Sequence, residues 1–309
     1  MPKKLLWIIN PLAGKASIGQ HALACIDTFV KAGWDVTVYT TQSAGDARRA
    51  ARERAGEFSR IVCSGGDGTL GEVTAGLMDA GSPVPLGYIP AGTTNDFAAS
   101  LGLPKSPALA AQIAAGDCLA PLDIGRFGER YFTYVAAFGL FTEVSYTTPQ
   151  PVKNWLGRAA YLIKGIKSLS QVKAYRLHVE APEVQLDGEF VLGMVTNSTS
   201  VGGFKGLPHV ANAEMDDGLF EVMLLRRAES LLDLQTTLND LTSDGQSNSR
   251  LFVHFKAPWV QFSGETETAW TLDGEFGGSV RTAAIENLHG AVTFLVPPEK
   301  GRERLESPS

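Results

Sequence analysis

The first third of the sequence alternates, and that alternation restricts the fold more than any other feature. The apolar runs KLLWIIN, WDVTVYT, RIVCS and VPLGYIPA are separated by stretches of helical composition. AGDARRAARERAG is rich in Ala and Arg, and TLGEVTAGLMDAG follows the third run. Strands joined through helices pair in parallel, because a parallel neighbour is reached only by a crossover. Near CLAPLDIGRF the pattern changes, and strands dominate: YFTYVAAFG, AYRLHVEA, EFVLGMVTNS, LFEVMLLR, RLFVHFKA, WVQFSG, AWTLDGEF and AAIENLHGAVTFLVP. Helical stretches interrupt them near 153–170 and 228–242. The expected architecture is α/β plus all-β. A Rossmann-like α/β nucleotide-binding domain over 1–123 precedes a mostly antiparallel β-sandwich over 124–296. A polar tail, 297–309, has a mobile end or packs back on the first domain.

A chain of 309 residues, 44% of them apolar, can build two cores. The net charge of −6 argues against a general nucleic-acid surface, so no nucleic-acid partner is expected. No segment approaches the ~20 apolar residues of a membrane span. The opening apolar run is broken by Asn10-Pro11 too early for a secretory leader, which points to the cytoplasm. Cys25, Cys63 and Cys118 lack paired spacing and read as free, buried thiols of a reducing compartment. His21, His178, His209, His254 and His289 lack metal spacing and read as structural or surface residues.

The stretch SGGDGTLGE, 64–72, sets Gly65, Gly66 and Gly68 around Asp67, between a strand and a helix. Glycines let a phosphate approach backbone N–H groups, and the helix N-terminus adds partial positive charge. Thr69 with Glu72 three residues later has the pattern of a capping box. Asp67 would repel a phosphate unless a divalent cation stood between them, and Mg²⁺ takes both kinds of oxygen. The bland alternative is an ordinary glycine turn. Two further loops in the same position, NPLAG at 10–14 and AGTTNDF at 91–97, favour a nucleotide site, since all three leave the carboxyl edge of the sheet. Neither a Walker A loop nor G-x-G-x-x-G is present.

Together GGDGT (65–69), NPLAG and GTTNDFA (92–98) resemble the diacylglycerol kinase catalytic family, in its soluble bacterial lipid-kinase branch. GGDGT is shared with NAD kinases, and the GT-x-ND-F segment separates the lipid branch. LGRAAYLIKGI, NSTSVGGF, AEMDDGLFEV and LDGE continue the resemblance in order over nearly the whole chain. The resemblance implies an ATP- and Mg²⁺-dependent lipid kinase. ATP would meet Asn10, Pro11, Leu12, Ala13, Gly14, Thr40, the segment Gly65, Gly66, Asp67, Gly68, Thr69, Leu70, Gly71 and Glu72, and Thr93, Asn95 and Asp96. Asp67 would join the water network around metal and triphosphate. Asp217 would hold Mg²⁺ with the carbonyls of Glu214 and Leu219. Glu275 would be the general base, with Asp273 close by. The family often has Asn where Gly71 stands and Arg where Ala99 stands; neither departure touches Asp67, Asp217 or Glu275.

Both DDG (216–218) and DGE (273–275) are by default hairpin turns, and LDGEF occurs twice. The copy at 186–190 is expected to be a plain hairpin turn, the copy at 272–276 the functional one. The expected acceptor is diacylglycerol at a membrane surface, giving a cytoplasmic protein in transient peripheral membrane contact. Lys153–Lys173 has the composition of a basic amphipathic helix, which fits either an anionic surface or a solvated scaffold face. A GGDGT kinase of a soluble substrate such as NAD, and a catalytically silent lipid- or nucleotide-binding module, are the alternatives. A homodimer is left open.

Overall fold

The computed structural model of the protein describes residues 3–14, 18–139, 173–201, 204–205, 213–230, 232–233 and 250–299. The amphipathic stretch expected at 153–173 lies outside them except for its last residue, as do most of the helix expected at 228–242 and the tail beyond residue 299. Among the described residues no helix is long and apolar enough to cross a membrane.

The chain divides into two compact units, one running to Ile124 and resuming at Gly290, the other Gly125–His289. The expected boundary at 123 and the expected end of the second domain at 296 differ from this division chiefly at the return. Residues from Gly290 onward join the first unit because Phe294 pairs in parallel with Leu86 and Val296 donates its N–H to the Cys118 carbonyl.

The first unit contains β1 (Lys3–Ile9), α1 (Ile18–Lys31), β2 (Trp34–Thr40), α2 (Asp46–Arg54), β3 (Arg60–Gly65), α3 (Asp67–Asp79), β4 (Leu86–Pro90), α4 (Asp96–Leu101) and α5 (Pro107–Ala115). Its strands stand in the order β2-β1-β3-β4, all parallel. Leu5 to Ile9, all of β3 and all of β4 are buried, as strands covered on both faces require. Trp7 packs edge-on against Phe29 of α1, and Phe97 of α4 against Phe294. The buried Arg60 donates to the Ala114 and Gly116 carbonyls at the end of α5 and lies over the Trp34 ring, 4.4 Å from its centroid. A guanidinium thereby satisfies carbonyls that the helix leaves unpaired. Cys25, Cys63 and Cys118 are free thiols, and Cys118 is only partly buried. Burial pushes Cys25 up to about 11.

The described residues of the second unit are mostly strand. The remaining strands among the described residues are β5 (Leu119–Phe127), β6 (Arg130–Phe132), β7 (Val135–Gly139), β8 (Tyr175–Ala181), β9 (Val184–Thr196), β10 (Ser200–Val201), β11 (Phe204–Lys205), β12 (Phe220–Arg226), β13 (Phe252–Ala257), β14 (Trp259–Leu272) and β15 (Glu275–Leu295). The unit division falls inside β5 and β15. The order β13-β12-β9-β7-β14-β15 is antiparallel throughout, and β8 bonds to the first halves of both β9 and β14. Tyr175, Leu177, Val179 and Ala181 alternate inward along β8 into a core with Phe138, Phe190, Phe220, Phe262 and Trp270. The first LDGEF copy is not a hairpin turn. It lies inside β9, and the turn falls earlier, at Glu183 with φ 60°. Gly188 is accommodated in the strand because the Arg226 guanidinium fills the space where a Cβ would stand.

Candidate functional site

The three loops expected to hold a nucleotide meet at the carboxyl ends of β1, β3 and β4. In the order β2-β1-β3-β4 the direction of crossover changes between β1 and β3, and an open α/β sheet places its ligand crevice there. Asn10, at the end of β1, donates from Nδ2 to the Thr69 hydroxyl at 3.1 Å and accepts the Leu12 N–H on Oδ1 at 3.0 Å. Gly14 has φ +56°, and a Cβ there would stand 2.3 Å from the Ala91 carbonyl oxygen. A Cβ on Gly92 would stand 2.5 Å from the Gly66 Cα. The backbones of all three loops therefore touch where only glycine fits. Thr40 lies on the same edge, and the following N–H, of Thr41, donates to the Ile9 carbonyl.

Helix α3 begins at Asp67 with Gly66 as its N-cap, φ −88° and ψ −176°, and no side chain caps it. The N–H groups of its first turn, those of Gly68 and Thr69 included, fall outside the helical ladder. The first ladder bond runs from Leu70 N–H to Gly66 carbonyl, so Leu70, buried and already bonded, contributes packing rather than a donor. The capping box is overturned, since Thr69 lies inside the helix with its hydroxyl on Asn10. Glu72 caps a different helix: its two oxygens accept the N–H groups of Gly45 and Ala47 at 2.8 and 3.1 Å, at the start of α2. In the loop 10–14, Pro11 has no N–H, and those of Leu12 and Ala13 turn toward Asn10. This loop supplies contact surface more than donors.

Around the third loop, Asn95 sits in the left-handed region at φ 54° and clasps Gly92, accepting its N–H and donating to its carbonyl, both at 2.9 Å. Asp96 donates its N–H to Asp67 Oδ2 at 3.3 Å, while Thr93 is exposed beside it. Sequence reasoning missed Tyr88. Its hydroxyl lies within hydrogen-bond reach of the Gly65 carbonyl and of Asn95 Oδ1, joining the glycine loop to the third loop. Burial, then the Asp67 carboxylate, raises its hydroxyl well above the ordinary value. The one signal for it is a polar tip inside the apolar run VPLGYIPA.

The remaining expected residues belong to the second unit. Asp273 and Gly274 have φ 50° and 84°, both positive as a two-residue type I′ hairpin turn requires, and join β14 to β15. The Asp273 carboxylate accepts the Thr133 N–H at 2.6 Å, the Thr133 hydroxyl at 2.8 Å, and the N–H groups of Tyr134 and Val135 at 3.0 and 3.1 Å. Burial raises the Asp273 carboxyl, and these four donors oppose the rise. Asp273 is therefore a clamp on the turn, and Glu275 is the exposed carboxylate that the turn presents.

At the other turn, Asp217 accepts the Leu219 N–H on Oδ1 at 3.0 Å, and Lys256 Nζ stands 3.3 Å from Oδ2. Glu214 is exposed. Among the described residues no group of three His, Cys, Asp or Glu could hold a metal. A Mg²⁺ ion keeps most of its waters and needs only one or two carboxylates, and the ammonium at Asp217 shows that this carboxylate accepts positive charge. On that ground the Asp217 carboxylate has the donor chemistry such an ion takes, with Lys256 Nζ standing where a cation would sit. Lys256 also pairs with the buried Glu221 at 3.0 Å, and Glu221 with His254 Nε2 at 2.6 Å.

Comparison with known proteins gives two family matches: the diacylglycerol kinase catalytic domain over residues 4–127, and the YegS C-terminal NAD kinase beta sandwich-like domain over 139–296. A diacylglycerol kinase of Bacillus subtilis (strain 168) is 33% identical over 303 residues, covering 97% of this chain and 99% of that protein. A diacylglycerol kinase of Staphylococcus saprophyticus is 34% identical over 307 residues, covering 99% of each. A solved structure from Bacillus anthracis str. Sterne superposes with a TM-score of 0.83 at 25% identity, covering 97% of this chain and 99% of that one.

Proposed function

Because the chain belongs to the diacylglycerol kinase catalytic family, and so is a kinase with an alcohol group as acceptor, we propose that it transfers the γ-phosphate of ATP to a lipid hydroxyl, diacylglycerol first, giving phosphatidic acid and ADP. The observation that carries this reading is the meeting of three strand-end loops at the crossover change, with Gly14 against Ala91 and Gly66 against Gly92. ATP lies along these loops, with its phosphates at the start of α3 and its neighbours Thr40, Thr93, Asn95 and Asp96 on the same edge.

Phosphoryl transfer asks for positioning, charge neutralisation and modest help for the attacking oxygen. The lipid oxygen attacks the γ-phosphorus, its proton passes to Glu275, and the bond to the β-phosphate bridging oxygen breaks to release ADP. Proton removal of this kind contributes roughly 10²–10⁴-fold. Mg²⁺ would neutralise triphosphate charge, with Asp67 in the water network around metal and triphosphate, and Asp217 would separately hold Mg²⁺ at its own turn with the Glu214 and Leu219 carbonyls. Asp273 holds the turn that carries Glu275. The acceptor reaches the enzyme from a bilayer, so contact with a membrane surface is transient.

The test is an acceptor screen with γ-labelled ATP and Mg²⁺, using dioleoylglycerol in mixed micelles, other lipid alcohols, and NAD. Label in phosphatidic acid, lost in Glu275→Gln, is the expected result. Label in NAD with none in any lipid would overturn the lipid reading, and full activity of Glu275→Gln would remove Glu275 as the base.

A further inference from the structure

The Asp217 turn carries its own cation. Lys256 lies in β13 directly opposite Glu221 of β12, and its ammonium is 3.0 Å from Glu221 Oε1 and 3.3 Å from Asp217 Oδ2. Glu221 is buried, its side chain 4% exposed, and it cannot remain charged there without partners. His254, two residues along the same strand, supplies the second partner on Oε2. Lys256 is thus anchored by the shorter of its two contacts and shares its charge with Asp217 by the longer one. We propose that Lys256 is a tethered cation that neutralises Asp217 when no metal is present and weakens divalent-cation binding at the 216–219 turn, with Glu221 as the seat it keeps when a metal arrives.

The geometry gives each residue a separate part. An ion at Asp217 Oδ2 displaces the ammonium from one carboxylate only, because the 3.0 Å contact to Glu221 Oε1 is made to a separate residue. The lysine then remains within a few ångströms of the ion, held there by its contact with the buried Glu221. Repulsion at that distance acts on a divalent ion with twice the force it exerts on a monovalent one. Leu219, whose N–H is bonded to Asp217 Oδ1, keeps the carboxylate oriented in both conditions. The inference rests on the assignment of a metal to Asp217 and adds what sets its affinity.

The probe is Mn²⁺ alone, titrated into the full-length protein and followed by the electron paramagnetic resonance signal of the free ion. The comparison is among wild type, Lys256→Met, Lys256→Gln and Asp217→Asn. Removing the ammonium is expected to tighten Mn²⁺ binding by about tenfold, and Asp217→Asn to abolish that site. Thermal melting supplies the second measurement. The wild-type midpoint should move little between EDTA and Mg²⁺, whereas Lys256→Met should be less stable in EDTA and recover with Mg²⁺. Equal Mn²⁺ affinity in wild type and both Lys256 variants overturns the tethered-cation proposal and leaves the metal assignment standing. No Asp217-dependent binding in any of the four proteins overturns both. Lys256→Gln keeps a polar group beside Glu221, so the comparison survives if Lys256→Met fails to fold.

Discussion

Replacing Asp273 by alanine should cost the second unit about 4 kcal/mol. The carboxylate accepts three backbone N–H groups and one hydroxyl from Thr133, Tyr134 and Val135, and all three of those residues are buried. A stranded buried donor costs ~1–3 kcal/mol, and the low end applies here because the half-exposed turn lets water reach part of the gap. Three N–H groups then account for about 3 kcal/mol. Alanine at φ 50° adds about 1 kcal/mol, since aspartate tolerates the left-handed region better. For a unit of this size each kcal/mol lowers the melting midpoint by roughly 2–4 °C, so a fall of about 10 °C is expected. The assay is thermal unfolding at neutral pH, followed by circular dichroism, for wild type, Asp273→Ala and Asp273→Asn. Asparagine keeps one acceptor oxygen and the turn, and should fall between the two. If Asp273→Ala melts within a degree or two of wild type, the clamp is not stabilising and the reasoning fails.

Gly14→Ala should separate the first and third loops, because its Cβ would stand 2.3 Å from the Ala91 carbonyl oxygen at a φ of +56°. Nucleotide affinity, read by calorimetry, should fall by at least about tenfold, whereas an unchanged affinity would separate this contact from the nucleotide site. Asp46 governs part of the acid limb of stability. The Gln42 N–H first, and then Arg49 and Tyr39, hold its carboxyl below the ordinary 3.8 against the opposing effect of burial. Its contribution is therefore fully present above 3.8 and is lost as pH falls through the lower folded value. Asp46→Asn should flatten the melting profile below that pH and leave its slope between pH 5 and 7 unchanged.

The alternation of KLLWIIN, WDVTVYT, RIVCS and VPLGYIPA with helical stretches was enough to read the first unit, because parallel strands buried on both faces carry their signal in local composition. Helix α5 escaped that reading, its alanine-rich turns having little hydrophobic period. Thr69 and Glu72 show where local pattern fails. Their spacing fits a capping box, yet the helix starts at Asp67, and Glu72 is drawn to the start of α2, at Gly45 and Ala47. The two LDGEF copies show the same limit. Identical letters make a strand where Arg226 covers Gly188 and a turn where Thr133 to Val135 bind Asp273. Lys256 carried no signal at all, since its two acids lie in other segments of the chain.

The first unit is discontinuous, closed beside β4 by the end of β15. During synthesis on the ribosome, β4 therefore emerges long before the strand that covers its flank. Until the last residues of β15 are released, the nascent protein carries an open apolar sheet edge that chaperones or early collapse must shield. A fragment cut after Ile124 would retain that exposed edge permanently and is a poor candidate for isolated expression.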